Sequence, residues 1–196
     1  HSDEGDGMIP DLSGYLENYR RDLEKIMEVY IQQLRQGDLL SLIHVNDLLL
    51  YLFTRKRRGT TACAVERMEN FDIIGDGKVH ACADLPEAMS IGRILEAGEI
   101  VFESDAMERV AKIVSYKTDL GCSACGVEPY CGGRCPVQAN TGGIGRARQY
   151  CFMMREYVRT VKQHAPHIAE LMVEKGITLQ DLYRSAHLTK FADVTP

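Results

Sequence analysis

Residues 121–136 read GCSACGVEPYCGGRCP and hold four of the seven cysteines in the chain. These four, Cys122, Cys125, Cys131 and Cys135, follow the spacing C-x2-C-x5-C-x3-C. A C-x2-C pair lets two thiolates reach one metal centre from a tight turn. The glycines among them permit positive φ angles and let backbone N–H groups approach the sulfurs of a cluster. Taken alone, the segment predicts either an iron–sulfur site or a four-cysteine zinc site.

The remaining cysteines lie on both sides of this segment. Cys63 and Cys82 precede it and frame a predicted β-hairpin. Cys151 follows it, in what we predict to be the first turn of a helix, where the helix dipole favours a thiolate. Seven cysteines exceed the needs of one four-ligand site by three. The odd count, and an acidic N-terminus without a secretory signal pattern, favour metal or cluster ligation over a disulfide scaffold.

The composition is that of an ordinary globular protein. The chain has 196 residues, 45% of them apolar and 26% charged, which predicts one medium domain or two small ones. The net charge of −5 gives no indication of nucleic-acid binding. No apolar run reaches the roughly 18 residues of a membrane span, so we expect no membrane partner. With the cysteine count, this composition predicts a cytoplasmic protein in reducing, anaerobic surroundings.

Hydrophobic spacing and turn signals predict an α+β fold that is mostly helical, with one short β-hairpin and a Cys/Gly-rich cluster-binding loop region. The hairpin is centred on Gly75-Asp76-Gly77, and residues 121–145 are expected to form the loop. The expected helices cover residues 12–37, 39–53, 91–97, 105–116 and 148–164, then one that Pro166 opens and Gly176 ends, and a last one capped by Thr178 and Asp181.

The complete order of the cysteines resembles the SPASM domain of radical S-adenosylmethionine enzymes. That family's pattern runs C-x(9–15)-G-x4-C, then C-x2-C-x5-C-x3-C, then a final cysteine, and residues 63–151 fill every position, with Gly77 as the glycine. The string YCGGRCP at residues 130–136 resembles the family's YCGGxCP segment, and IGRI at residues 91–94 resembles its IGN(I/L) stretch. We therefore divide the chain into three regions. Residues 1–58 are expected to be N-terminal helices that form the end of, or a linker from, a catalytic barrel that this sequence lacks. Residues 59–151 are expected to form a SPASM-like auxiliary-cluster domain, and residues 152–196 C-terminal helices.

The resemblance implies two interleaved [4Fe–4S] clusters as cofactors. The first would be held by Cys63, Cys82 and Cys135. The second would be held by Cys122, Cys125, Cys131 and Cys151. The last cysteine of the run would thus cross to the other cluster, as one does in two-cluster ferredoxins.

The first of these clusters has only three cysteine ligands. Some members of the family carry a further cysteine shortly before the position of Cys63, where this chain has residues 55–59, RKRRG. The resemblance therefore implies an open iron site, available to water, a substrate atom or a side chain other than cysteine. His80, two residues before Cys82, is one candidate, although we expect a histidine in this strand to face solvent.

The chain lacks the C-x3-C-x2-C triplet that holds the catalytic cluster of radical S-adenosylmethionine enzymes. Their barrel also needs roughly 200 further residues. The resemblance implies a C-terminal fragment or subunit of a peptide-modifying oxidoreductase, inactive alone, whose barrel lies in the same full-length chain or in a partner subunit. It would serve electron transfer and the positioning of a peptide or protein substrate, and S-adenosylmethionine would bind only to the missing domain. The residues leave two alternatives open, a structural zinc-binding interaction domain and a stand-alone ferredoxin-like electron carrier.

Overall fold

The computed structural model describes residues 8–55, 65, 71–133 and 135–187, so Cys63 lies outside the described residues. The fold is α+β and mostly helical, as predicted. The chain separates into two compact units. One unit contains His1–Ile9 and Arg58–Cys151, and the other contains Pro10–Arg57 and Phe152–Pro196. We call them the cysteine unit and the helical unit.

Helix α1, Leu12–Gln36, begins and ends at the residues that its sequence signals indicate. The side chain of Asp11 accepts the backbone N–H of Gly14 at 2.9 Å, which satisfies one of the unpaired donors in the first turn. Gly37 ends the helix in the left-handed conformation, with φ 90°. One face of α1 is buried, and it consists of Leu23, Met27, Tyr30, Ile31 and Leu34.

A buried amide joins three parts of the helical unit. Helix α2, Ile43–Thr54, carries Asn46, which is fully buried. Its side-chain oxygen accepts the hydroxyl of Tyr30 at 2.8 Å, and its nitrogen donates to the Leu40 carbonyl at 2.8 Å and to the Ser185 hydroxyl at 2.7 Å. Burial raises the pKa of Tyr30, so its hydroxyl stays protonated and remains a donor. The network therefore links α1 and α2 to the last described helix.

A four-stranded antiparallel sheet lies in the described part of the cysteine unit, in the order β1-β2-β3-β4. The predicted hairpin is confirmed, because β1 (Asp72–Ile73) pairs with β2 (Lys78–His80) across the Gly75-Asp76-Gly77 turn. The sheet continues through β3, Gly92–Ile94, and β4, Ile100–Phe102.

The predicted helix over residues 91–97 is wrong, because this segment contains strand β3. Strand β3 pairs with both of its neighbours, and the backbone of β4 passes close to Gly92. A Cβ added at Gly92 would lie 2.6 Å from the Val101 carbonyl oxygen, closer than van der Waals contact allows. The glycine is therefore required by the approach of two strands, a long-range contact that local spacing does not reveal.

Helix α3, Ala106–Val114, covers the core of the cysteine unit. We call this set of buried side chains the sheet core, and it consists of Val65, Val79, Ala81, Leu85, Ile91, Ala106, Val110 and Ile113. The partly buried side chains of Cys82 and Val137 pack against it, among others. Two short helices follow α3 in the chain, α4 at Tyr116–Asp119 and α5 at Glu128–Cys131.

Helix α6, Pro136–Glu174, corrects three predictions. Residues 136–145 belong to it and are not loop, and Pro166 lies inside it rather than opening a new helix. The missing N–H of Pro166 removes one intrahelical bond, while its neighbours Ala165 and Ile168 are buried and hold the segment in place. The backbone is non-helical at Gly143, with φ 75° and ψ 164°. Cys151 lies about two turns beyond that break, so its predicted place in a first turn is wrong.

The last helix, α7, spans Leu179–His187 and packs against α2. Gly176 follows α6 with φ 69°, and the predicted capping box at the start of α7 is confirmed. The carboxylate of Asp181 accepts the backbone N–H of Thr178 at 2.9 Å, and the Thr178 hydroxyl oxygen accepts the N–H of Asp181 at 3.3 Å. None of the described helices combines the length and the apolarity needed to cross a membrane.

Candidate cluster-binding site

Two consecutive short turns carry three of the predicted ligands. Residues Cys122–Ala124 form a single 3-10 turn, which Cys125 closes by donating its N–H to the Cys122 carbonyl at 3.0 Å. Helix α5 begins at Glu128, whose backbone N–H donates to the Cys125 carbonyl at 3.0 Å. This helix contacts the 3-10 turn. Cys131 is the last residue of α5, which Gly132 ends at φ 65°. Hydrogen bonds within the loop therefore position Cys122, Cys125 and Cys131.

The pKa of Cys122 depends on three other cysteines that lie near it. Burial raises the pKa of Cys122, and the thiols of Cys151, Cys131 and Cys125, in that order, raise it further. These four thiols are thus close enough for their charges to interact, although Cys151 comes from helix α6. All four side chains are half-buried, whereas Cys135 is exposed. None of the six described cysteines forms a disulfide.

Helix α4 places a cation beside these thiols. The ammonium of Lys117 lowers the pKa of Cys122, opposing the effect of burial and of the three thiols. The alkyl chain of Lys117 lies over Gly133, where an added Cβ would come within 2.5 Å of Lys117 Cε. The neighbouring Tyr116 donates its hydroxyl to the Gly133 carbonyl at 2.9 Å. Tyr116 and Lys117 therefore contact the glycine that follows α5, and Lys117 offsets part of the rise in the pKa of Cys122.

Sequence reasoning missed both of these α4 residues. Tyr116 and Lys117 precede the cysteine run by only a few positions, but neither belongs to a spacing that indicates ligation. Between Lys117 and the first cysteine of the run the chain turns at Gly121, whose φ is 68°. The only available signal was the requirement for a counter-charge near several thiolates.

The four thiols have the chemistry of cluster ligands. Among the described residues, no three histidine, cysteine, aspartate or glutamate side chains converge tightly enough to hold a single metal ion. The thiols of Cys125, Cys131 and Cys151 are nonetheless close enough to Cys122 to raise its pKa. Cysteine thiolates are the ligands that a [4Fe–4S] cluster uses, and the binding of a cluster by these four residues stays a prediction. The positive charge of bound iron would also relieve their mutual repulsion.

The other predicted set is described in part. Cys82 packs against the sheet core, and so does Val137, two residues after the exposed Cys135. Val65, two residues after Cys63 in the sequence, is a buried member of the same core. Cys82 and Val137 therefore contact one hydrophobic cluster, which also contains Val65. Their grouping around one cofactor stays a prediction.

His80 is not where the sequence predicts it to be. We expected it to face solvent, but only 1% of it is exposed. Neither ring nitrogen has a hydrogen-bond partner among the described residues. A buried polar atom without a partner costs about 1–3 kcal/mol, so the arrangement requires an explanation.

Comparisons with known proteins found no match to this chain. No protein-family model, no curated protein and no solved structure matches this chain. The resemblance to the SPASM domain consequently rests on the seven cysteines and on the short strings around them.

Proposed function

We propose that this chain is the auxiliary-cluster domain of a radical S-adenosylmethionine enzyme that modifies a peptide or protein. It would bind two [4Fe–4S] clusters and serve electron transfer and substrate positioning in a reducing cytoplasm. The catalytic barrel, which binds S-adenosylmethionine, would lie in the same full-length chain or in a partner subunit. The chain itself has no cysteine triplet with which to cleave that cofactor.

One observation supports this proposal more than any other. Of the thiols that act on Cys122, that of Cys151 has the largest effect, ahead of those of Cys131 and Cys125. A four-cysteine zinc site built from the run alone would need Cys135 as its fourth ligand. The interleaved arrangement instead needs Cys151 beside Cys122. The surroundings of Cys122 favour the second arrangement.

The chain's own residues would give the second cluster a defined environment. Four half-buried thiolates leave no iron without a protein ligand, so this cluster would relay electrons rather than bind substrate. Lys117 would offset part of the negative charge that the thiolates and the cluster carry together. Tyr116 would keep the backbone at Gly133 in place through its hydroxyl.

Anaerobic reconstitution tests the proposal directly. The chain is incubated with iron and sulfide without oxygen, desalted, and analysed for iron, sulfide and zinc. We expect about eight irons and eight sulfides per chain, which correspond to two [4Fe–4S] clusters. A colourless protein that takes up about one zinc under these conditions would establish the zinc-binding domain instead.

A further inference from the structure

The side-chain amide of Gln149 is bonded to the main chain of one residue near the start of the sequence. Gln149 lies in α6 and is 7% exposed. Its Oε1 accepts the backbone N–H of Ile9 at 2.8 Å, and its Nε2 donates to the Ile9 carbonyl at 3.1 Å. The partners fix the orientation of the amide, because an N–H needs the oxygen and a carbonyl needs the nitrogen. A largely buried side chain therefore uses both of its polar groups on one residue.

This pairing has the pattern that two β-strands use. In an antiparallel sheet, the residues of a hydrogen-bonded pair exchange both of their N–H···O bonds, and Gln149 supplies the same donor and acceptor from a side chain. Ile9 precedes Pro10, and a residue before proline favours an extended backbone. Neither Met8 nor Ile9 belongs to a helix or a strand. The amide thus holds a peptide unit as a neighbouring strand would hold it.

A second contact lies about one helical turn before Gln149. Gly145 shares a face of α6 with Gln149, and a Cβ added there would lie 3.5 Å from Met8 Sδ. This is ordinary van der Waals contact, so the Met8 side chain lies directly over the helix where Gly145 has no side chain. Cys151 is about 200° around the helix from Gln149, because each residue turns it by about 100°. The contacts with Met8 and Ile9 therefore lie on a different face of α6 from the predicted ligand.

Few bonds hold Met8 and Ile9 in place. Both residues are half-buried, and among the described residues their only hydrogen bonds are the two with Gln149. These bonds use main-chain groups alone, so the Ile9 side chain takes no part in them. A segment held by one such pair opens more readily than a core element does. Another peptide that offers the same main-chain groups can then take its place.

We propose that Gln149 and Gly145 form a binding site for an extended peptide, and that Met8 and Ile9 occupy this site from within the chain. The ligand needs a residue with both N–H and C=O available, which excludes proline, preceded by a flexible apolar side chain that lies over Gly145. The peptide or protein substrate of the proposed function belongs to this class. The inference goes beyond that function, because it depends on the geometry at Gln149 and on neither cluster.

Peptide binding to the reconstituted full chain, measured by fluorescence anisotropy, tests the proposal. The probe is a labelled peptide with the sequence of residues 5–12, GDGMIPDL. In the natural chain, Met8 and Ile9 compete with the probe from within the molecule. Ile9→Pro removes the N–H that Gln149 Oε1 accepts, so this variant should bind the probe about tenfold more tightly than the natural chain. Ile9→Val keeps the N–H and is the matched control, with the affinity of the natural chain.

Two further changes assign the binding to the Gln149 amide. Added to Ile9→Pro, Gln149→Met keeps an unbranched side chain but loses the donor and the acceptor, and it should weaken binding about tenfold. A probe with an N-methyl group on its isoleucine lacks the same N–H and should also bind about tenfold more weakly. A probe with valine in that position keeps the N–H and should bind like the original. Because the N-methyl probe leaves the protein unaltered, the test does not depend on whether a substituted residue of α6 folds.

The outcomes separate this site from the proposed function. The peptide site is overturned if Ile9→Pro binds no probe, if it binds no more tightly than the natural chain, or if the N-methyl and original probes bind equally. Iron analysis of the same samples, with about eight irons per chain expected, tests the function independently. Binding that depends on the Gln149 amide in a chain without iron would support the site and contradict the two-cluster function.

Discussion

The hydroxyl of Tyr116 donates to the carbonyl of Gly133, 17 positions later in the chain, at 2.9 Å in a buried setting. This bond connects α4 to the glycine pair between Cys131 and Cys135. The adjacent Lys117 is held in the same place, because its alkyl chain covers Gly133. One short helix thus fixes both the loop that carries the cysteines and the cation beside them.

Replacing Lys117 with methionine should lower the reduction potential of the second cluster. The substitution keeps an unbranched side chain over Gly133 but removes the charge that favours extra electrons on the cluster. We expect a shift on the order of tens of millivolts, with iron content unchanged. Spectroscopic redox titration measures it, and Lys162→Met, an exposed site on α6, is the control with the same charge change. Equal shifts in both variants would contradict a local effect of Lys117.

Paired cysteine substitutions should remove one cluster at a time. Cys82→Ala with Cys135→Ala takes two ligands from the first cluster, and Cys131→Ala with Cys151→Ala takes two from the second. Each pair should leave about four irons per chain and abolish a different paramagnetic signal. Iron analysis and electron paramagnetic resonance check this. The ligand division is wrong if both pairs erase the same signal.

The isolated chain should not cleave S-adenosylmethionine. It has no C-x3-C-x2-C triplet, and the proposed function uses all seven of its cysteines in the two auxiliary clusters. Reconstituted chain, a strong reductant and S-adenosylmethionine are incubated together, and 5′-deoxyadenosine is measured by chromatography. The amount should equal that of a sample without protein. Any excess that grows with protein concentration points to a catalytic cluster in this chain.

Asn46→Ala should destabilise the helical unit by about 3 kcal/mol. The substitution removes hydrogen bonds to Leu40 and Ser185 and leaves the buried Tyr30 hydroxyl without its acceptor. Urea unfolding followed by circular dichroism reports the change as a lower midpoint. Gln163→Ala, at an exposed position of α6, is the control and should unfold like the natural chain. An unchanged midpoint for Asn46→Ala would show that the buried network contributes nothing.

Elements with local stop and start signals could be predicted from the sequence. Helix α1 lies between Asp11 and Gly37, and the β-hairpin turns at Gly75-Asp76-Gly77, because capping and turn chemistry act within a few residues. Strand β3 could not be predicted, since pairing with β2 and β4 overrides the helical spacing of residues 91–97. The prediction that Pro166 opens a new helix was wrong because tertiary packing again overrides a local signal. The buried neighbours of Pro166 keep α6 helical on both sides of it.

The candidate site divides in the same way. The spacing of the cysteines predicts that they are ligands. Among the described residues, the thiols of Cys151, Cys131 and Cys125 raise the pKa of Cys122, and the ligand grouping stays a prediction. The burial of His80 and the position of Lys117 over Gly133 are products of the folded chain, and no spacing rule encodes them. Tertiary contacts decide which charged and polar side chains surround a group of cysteines, so a sequence names candidate ligands more readily than their surroundings.

The hydrogen bond between Asn46 and Ser185 spans 139 positions, and all seven cysteines lie in the interval between these residues. During synthesis, α2 leaves the ribosome before its partner α7 is made. At about 5–20 residues per second, on the order of ten seconds separate the two events. Every cysteine is translated within that time, before α7 can pack against α2. The order of translation thus means that the Asn46–Ser185 hydrogen bond can form only after every cysteine between these two residues has been made.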